Sequence, residues 1–201
     1  MFLLKLLSLF CLLTGMQQAQ ARILFEPYVG YTMGNYKVTG AATHPDVSQQ
    51  NLTTSGSVDG FAYGGRLGWI YGSFFVGGEY QAARAQLKLD GANESTNWMN
   101  TSIFGILGIE FAMGLRAFAG MTVVPHESEI STVPERSKYI GSAKKVGIGY
   151  RYRVPFALNA EYVMYEFEEF QIGTLKGKSK ERFNKFDYSA VILSISFPFE
   201  I

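Results

Sequence analysis

His44 and His126 are the only histidines in the chain, and each stands near an acid and a hydroxyl: Asp46 and Ser48 beside the first, Glu127 and Ser128 beside the second. A base, an orienting carboxylate and a hydroxyl are the parts of a nucleophilic or acid–base site, provided rigid elements hold them within hydrogen-bond reach. Both sets fall in polar stretches, and neither histidine falls on a regularly alternating segment, so solvated loop residues are expected and catalysis is not. Two isolated histidines among dispersed carboxylates give no zinc or calcium ligand spacing, and no metal or other cofactor is implied. Asn51-Leu52-Thr53, Asn93-Glu94-Ser95 and Asn100-Thr101-Ser102 match the N-glycosylation acceptor pattern, which arises readily in Thr-rich stretches and is read as incidental. Lys176, Lys178, Lys180 and Arg182 form a basic tract suited equally to anionic phosphates or to a solvated loop tip.

A second set of charges is more informative. Arg66, Glu79, Arg116, Arg151, Arg153 and Glu161 each sit between residues of an apolar alternating face. On a pleated strand such neighbours point one way and the charge the other, so the six are expected on a common inner face as an ionic network. Turn arithmetic goes further. A two-residue turn at Gly72-Ser73 makes Tyr71 oppose Phe74, and five residues back along each strand Arg66 opposes Glu79. A three-residue Pro155-Phe156-Ala157 link likewise sets Arg151 opposite Glu161.

The elements that must carry these charges alternate with a period of two. Phe25, Pro27, Val29, Tyr31 and Met33 share a face, as do Phe61, Tyr63, Leu67, Trp69 and Tyr71, whose opposite face holds Gly60, Ala62, Gly64, Arg66 and Gly68. Phe74, Val76, Tyr80 and Ala82 continue the pattern across the turn, and Leu115 to Val123, Val146 to Val154, Leu158 to Met164 and Val191 to Phe199 repeat it. The stretch from Trp98 to Glu110 is almost continuously apolar, so its facing stays open while its length makes it the remaining segment of eight. Long polar connections at 39–57, 89–97, 125–141 and 168–182 alternate with short ones at Gly72, Met113 and Pro155. An up-and-down meander puts alternate connections on opposite ends, so all the long ones belong to one end.

Composition agrees with closed β-structure. Aromatic residues at 15% and 22 glycines suit girdles and tight turns. With 18 Lys+Arg against 17 Asp+Glu there is no electrostatic footprint for nucleic acid, which excludes that class. Residues 1–21 carry Lys5, an apolar run from Leu6 to Leu13 and small residues at Ala19 and Ala21, and read as a cleaved signal peptide. The apolar run is shorter than the roughly 20 residues of a spanning helix. Cys11 lies inside that run and lacks the small residues expected before a lipid-bearing cysteine, so residues 22–201 are expected to form one cysteine-free barrel domain.

With these segments, sorted connections and the terminal run YSAVILSISFPF, the sequence resembles the small eight-stranded outer-membrane β-barrels, the group of the OmpA transmembrane domain and OmpX. The resemblance spans all of 22–201. It implies an all-β, antiparallel up-and-down transmembrane barrel in the outer membrane, both termini periplasmic, exported through a cleaved signal. Val191, Leu193, Ile195, Phe197 and Phe199 would form the C-terminal insertion signal read by the barrel-insertion machinery, although Glu200 and Ile201 follow the terminal aromatic of the pattern. No peptidoglycan-binding domain is expected after the last strand. Implied partners are outer-membrane lipid and lipopolysaccharide, with an unidentified partner at the external loops and a monomeric barrel. A structural or surface-interaction role is the leading expectation. The alternatives are a narrow ion conduit gated by interior salt bridges, a lipid A-modifying enzyme, for which His44 and His126 are the weak candidates, and a soluble barrel, which would have to turn its large apolar residues inward.

Overall fold

A computed structural model describes residues 21–41, 51–131, 136–151, 155–172, 175–179 and 183–201. The alternating segments become strands β1 (Arg22–Ala41), β2 (Asn51–Tyr71), β3 (Phe74–Leu89), β4 (Ser95–Glu110), β5 (Leu115–Thr122), β6 (His126–Ser131), β7 (Arg136–Tyr150), β8 (Ala157–Ile172), β9 (Leu175–Lys178), β10 (Phe183–Ser196) and β11 (Phe199–Glu200). Every pairing is antiparallel. β5 and β6 occupy one place between β4 and β7, so the ring runs β1, β2, β3, β4, β5/β6, β7, β8, β10 and back to β1. Closure leaves no sheet edge around the wall, which satisfies the backbone of each strand from its neighbours. β9 pairs with the far end of β8, and β11 with the start of β1.

The β2–β3 turn is tight because Gly72 takes the left-handed conformation at φ 62°. Tyr71 then opposes Phe74 and Arg66 opposes Glu79. Between β5 and β6 the chain inserts extra residues: Phe104 faces Thr122 and Thr101 faces Glu127, so two β4 residues lie opposite four. That irregularity turns Val123 and Val124 outward. At the seam Ile23 and Ile201 exchange two backbone hydrogen bonds of 2.8 and 3.0 Å, which places the first and last strands' ends beside the Gly72 turn.

Large apolar side chains form a belt on the outer wall, among them Val29, Phe61, Leu67, Trp69, Leu107, Ile148 and Leu193. The open facing of 98–110 is resolved: Trp98, Asn100, Ser102, Phe104 and Ile106 point inward, and Met99, Ile103 and Leu107 outward. Inside, glycines make room for large neighbours. A Cβ on Gly147 would lie 2.4 Å from the Phe118 ring, and one on Gly64 2.7 Å from the Tyr28 hydroxyl.

Two expectations need correction. The stretches 39–57, 125–141 and 168–182 are for the most part strand in their described residues, because β1, β2 and β6 to β9 extend beyond the belt, whereas 89–97 is a connection, with a turn at 90–94 between β3 and β4. Much of their polarity belongs to outward positions above the apolar band, while the inward face holds Ile130 and Tyr139, continued by Val38, Val58, Leu87 and Trp98 beside these stretches, with His126, Ser128 and Ser137 as its buried polar members. Averaging the two faces made strands look like loops. Second, Arg151 does not oppose Glu161. Tyr150 pairs with Leu158 and Gly147 with Glu161, because Ala157 is already strand and the connection is longer than three residues.

Candidate functional site: an interior ionic layer

Across the lower middle of the barrel, inward positions of six strands carry charge: Glu26 on β1, Arg66 on β2, Glu79 on β3, Arg116 on β5, Lys145 on β7 and Glu161 on β8, all buried. Arg66 is the hub. Its Nε donates to Glu79 Oε2 at 3.0 Å, its Nη1 to Glu26 Oε1 at 3.1 Å, and its Nη2 to Glu161 Oε1. Three carboxylates around one guanidinium would repel one another without further cations, and two are present. Arg116 Nη1 donates to Glu26 Oε2 at 2.7 Å, and Lys145 Nζ lies 2.5 Å from both Glu79 Oε1 and Glu161 Oε2. Among the described residues of this layer, three cations thus meet three carboxylates.

Polar side chains take up further donors and acceptors. Tyr28 Oη donates to Glu79 Oε1 at 2.7 Å, Gln81 Oε1 accepts from Lys145 at 2.8 Å, and Asn159 Oδ1 accepts from Arg116 Nε at 3.2 Å. Arg66 lies 4.5 Å from the Phe118 ring centroid, and Lys145 lies 4.5 Å from that of Phe104, so the cations also meet aromatic faces. A buried charge is tolerable only when such partners replace its water, and this layer supplies them from all sides.

Above it lies a second layer. His126, fully buried, shares hydrogen bonds from Nδ1 with Ser102 Oγ at 2.8 Å and the Thr101 carbonyl at 3.1 Å, and from Nε2 with Ser128 Oγ at 2.9 Å. Its ring packs 4.6 Å from Tyr165. This corrects the expectation of a solvated loop histidine: His126 begins β6 and points inward, as the third residue past the outward Val123. Among the described residues no carboxylate meets either ring nitrogen, so Glu127, on the outward side, does not orient it. Higher still, Tyr36, Trp98, Tyr139, Phe167, Phe186 and Tyr188 pack ring against ring, with Phe167 and Phe186 centroids 4.4 Å apart and Trp98 and Tyr188 5.0 Å apart. The lumen is filled with side chains, as expected for eight strands.

Of the six charges expected inside, Arg66, Glu79, Arg116 and Glu161 meet in the ionic layer. Arg151 sits at the rim, where it and Arg22 both pair with Glu200. Arg153 lies outside the described residues, as do His44, Lys180 and Arg182. Glu26 and Lys145 were missed. Each stands on the inward set of its segment, so alternation alone could have found them, but Lys144 beside Lys145 dilutes that pattern. Lys144 points outward and pairs with Glu166 at 3.2 Å. Val191, Leu193, Ile195, Phe197 and Phe199 are all exposed on the outer wall, and Phe199 stacks on Phe25 at 6.4 Å.

The chain matches no protein-family model and no curated protein. Among solved structures it is similar to the outer membrane protein OprG from Pseudomonas aeruginosa, at 10% identity and TM-score 0.52 over 90% of this chain and 97% of that one. Neisserial surface protein A aligns at 12% identity and TM-score 0.46 over 86% and 97%, and the attachment invasion locus protein Ail of Yersinia pestis at 10% and 0.48 over 90% and 100%. The fold is that of the small outer-membrane β-barrels.

Proposed function

We propose that the chain is an integral outer-membrane barrel with a structural or surface-interaction role, exported through a signal at 1–21 that is removed. The belt of exposed apolar side chains carries this reading. A soluble protein rarely leaves so continuous an apolar surface in water, whereas a barrel in lipid requires one. Inside, charge and aromatic layers fill the lumen, so the contact surface is the outer end, where paired strands rise beyond the belt. The test is cell fractionation with a heat-modifiability gel. Recovery with the outer membrane, and a mobility shift on boiling, are expected; recovery in the soluble fraction would overturn the proposal.

One observation favours a second role as a narrow ion conduit. Arg66 already contacts three carboxylates, so partners could be exchanged around it without leaving any group unpaired. Single-channel recording in planar bilayers decides between the roles: a silent wild type supports the closed barrel, and brief openings that become longer or more frequent in Arg66→Ala support the conduit. Among the described residues nothing comparable favours lipid A modification, since His126 and its serines are enclosed.

A further inference from the structure

On the outer wall just above the belt, four strands form a groove of about 390 Å³ lined by Tyr31, Ser57, Asp59, Gln86, Lys88, Asn93 and Ser95. These residues follow from the register. Asp59 is directly opposite Gln86, Ser57 opposite Lys88, and Lys88 opposite Ser95, all on outward positions. The floor is Tyr31, whose ring is braced edge-on by Phe61 at 6.0 Å. The groove's rim is held in place by the β3–β4 turn, because Asp90 N donates to the Ser55 carbonyl at 2.9 Å and Ser55 Oγ donates to Asp90 Oδ2 at 2.5 Å. Gly91 at φ 82° completes that turn and brings Asn93 over the groove.

We infer that this groove binds the sugar headgroup of a glycolipid. A sugar presents an apolar C–H face and a rim of hydroxyls that both donate and accept. Tyr31 offers the ring for the face, Asp59 a carboxylate acceptor for donated hydroxyls, Lys88 a donor, and Gln86 and Asn93 amides that do both. One carboxylate and one ammonium leave the lining formally neutral, so it suits the hydroxyls of a sugar ring and leaves the anionic groups of such a headgroup outside the groove. The position selects the source. Tyr31 belongs to the apolar belt and the polar residues stand directly above it on the lipid-facing wall, so a headgroup whose chains lie along the belt reaches the groove without leaving the bilayer. This inference rests on the outer-membrane reading.

The test uses the full barrel in phospholipid nanodiscs carrying a fixed fraction of rough lipopolysaccharide, with protein-bound lipopolysaccharide counted by native mass spectrometry. Asp59→Ala with Gln86→Ala should lower retention about fivefold or more, from the loss of several hydrogen bonds, while Lys144→Ala on the opposite wall should leave it unchanged. Equal retention in wild type and the double variant would overturn the site. Binding of the delipidated core oligosaccharide as tightly as the intact glycolipid would overturn the lipid source. Heat modifiability of the same samples separates the two readings: a folded barrel with unchanged retention fails the groove alone, and a chain that never inserts fails the outer-membrane reading.

Discussion

Arg66 and Glu79 face each other across the β2–β3 hairpin with Nε 3.0 Å from Oε2, yet each also holds partners on other strands: Glu26 and Glu161 for the arginine, Lys145 for the glutamate. Glu79→Ala therefore leaves a surplus buried cation and should destabilise the barrel by about 3 kcal/mol. Removing Arg66 as well leaves Arg116 with Glu26 and Lys145 with Glu161, both contacts already present. The double variant should recover at least half the loss in urea unfolding from lipid vesicles. Strictly additive effects would contradict the network.

The ionic layer was legible where a charge interrupts a clean apolar alternation, as at Arg66, Glu79, Arg116 and Glu161. At Lys145 the face was legible but the role was obscured by its neighbour Lys144, which is charged for a different reason, and at Arg151 the pleat position is inward but the height is the rim. Alternation gives the face of a residue and says nothing of its height. Height depends on connection lengths, and the misjudged β7–β8 link is where the register reading failed. The outer strands were lost for a related cause: once outside lipid, the outward face becomes Ser, Thr and Lys, and the inward apolar residues no longer stand out from a polar stretch.

Leu193 is half-exposed on the outer wall opposite Tyr31 and Ala160. Leu193→Arg should cost on the order of 2–4 kcal/mol if the position lies near the bilayer midplane. The same substitution at Ser189, four residues further out on β10, should cost about 0–1 kcal/mol. Equal costs in vesicle unfolding would remove the case for a lipid-facing belt.

Gly147 and Phe118 form a paired space: Phe118 fills the volume a side chain at 147 would need, and its ring lies against the Arg66 guanidinium. Gly147→Ala should destabilise by about 1–3 kcal/mol through overpacking. Phe118→Leu alone also costs stability, by loss of ring volume and of the cation contact. Combined, the two should cost less than their sum, because the smaller side chain vacates the space the new methyl enters. A cycle with no coupling would show that the ring does not occupy that space.

Sidedness follows from the ring itself. The Gly72 turn lies at the same end as the Ile23–Ile201 seam, and the Asp90–Glu94 turn between β3 and β4 lies at the other. The sequence carries one cysteine, Cys11, within the proposed signal, so a cysteine introduced elsewhere is a clean reporter once that signal is removed. Glu94→Cys should react with a membrane-impermeant maleimide on intact cells. Ser73→Cys should react only after the outer membrane is opened. Both positions lie in turns where a thiol needs no repacking of the wall. Labelling of Ser73→Cys alone on intact cells would invert the orientation, and with it the assignment of the groove above Tyr31 to the outer leaflet.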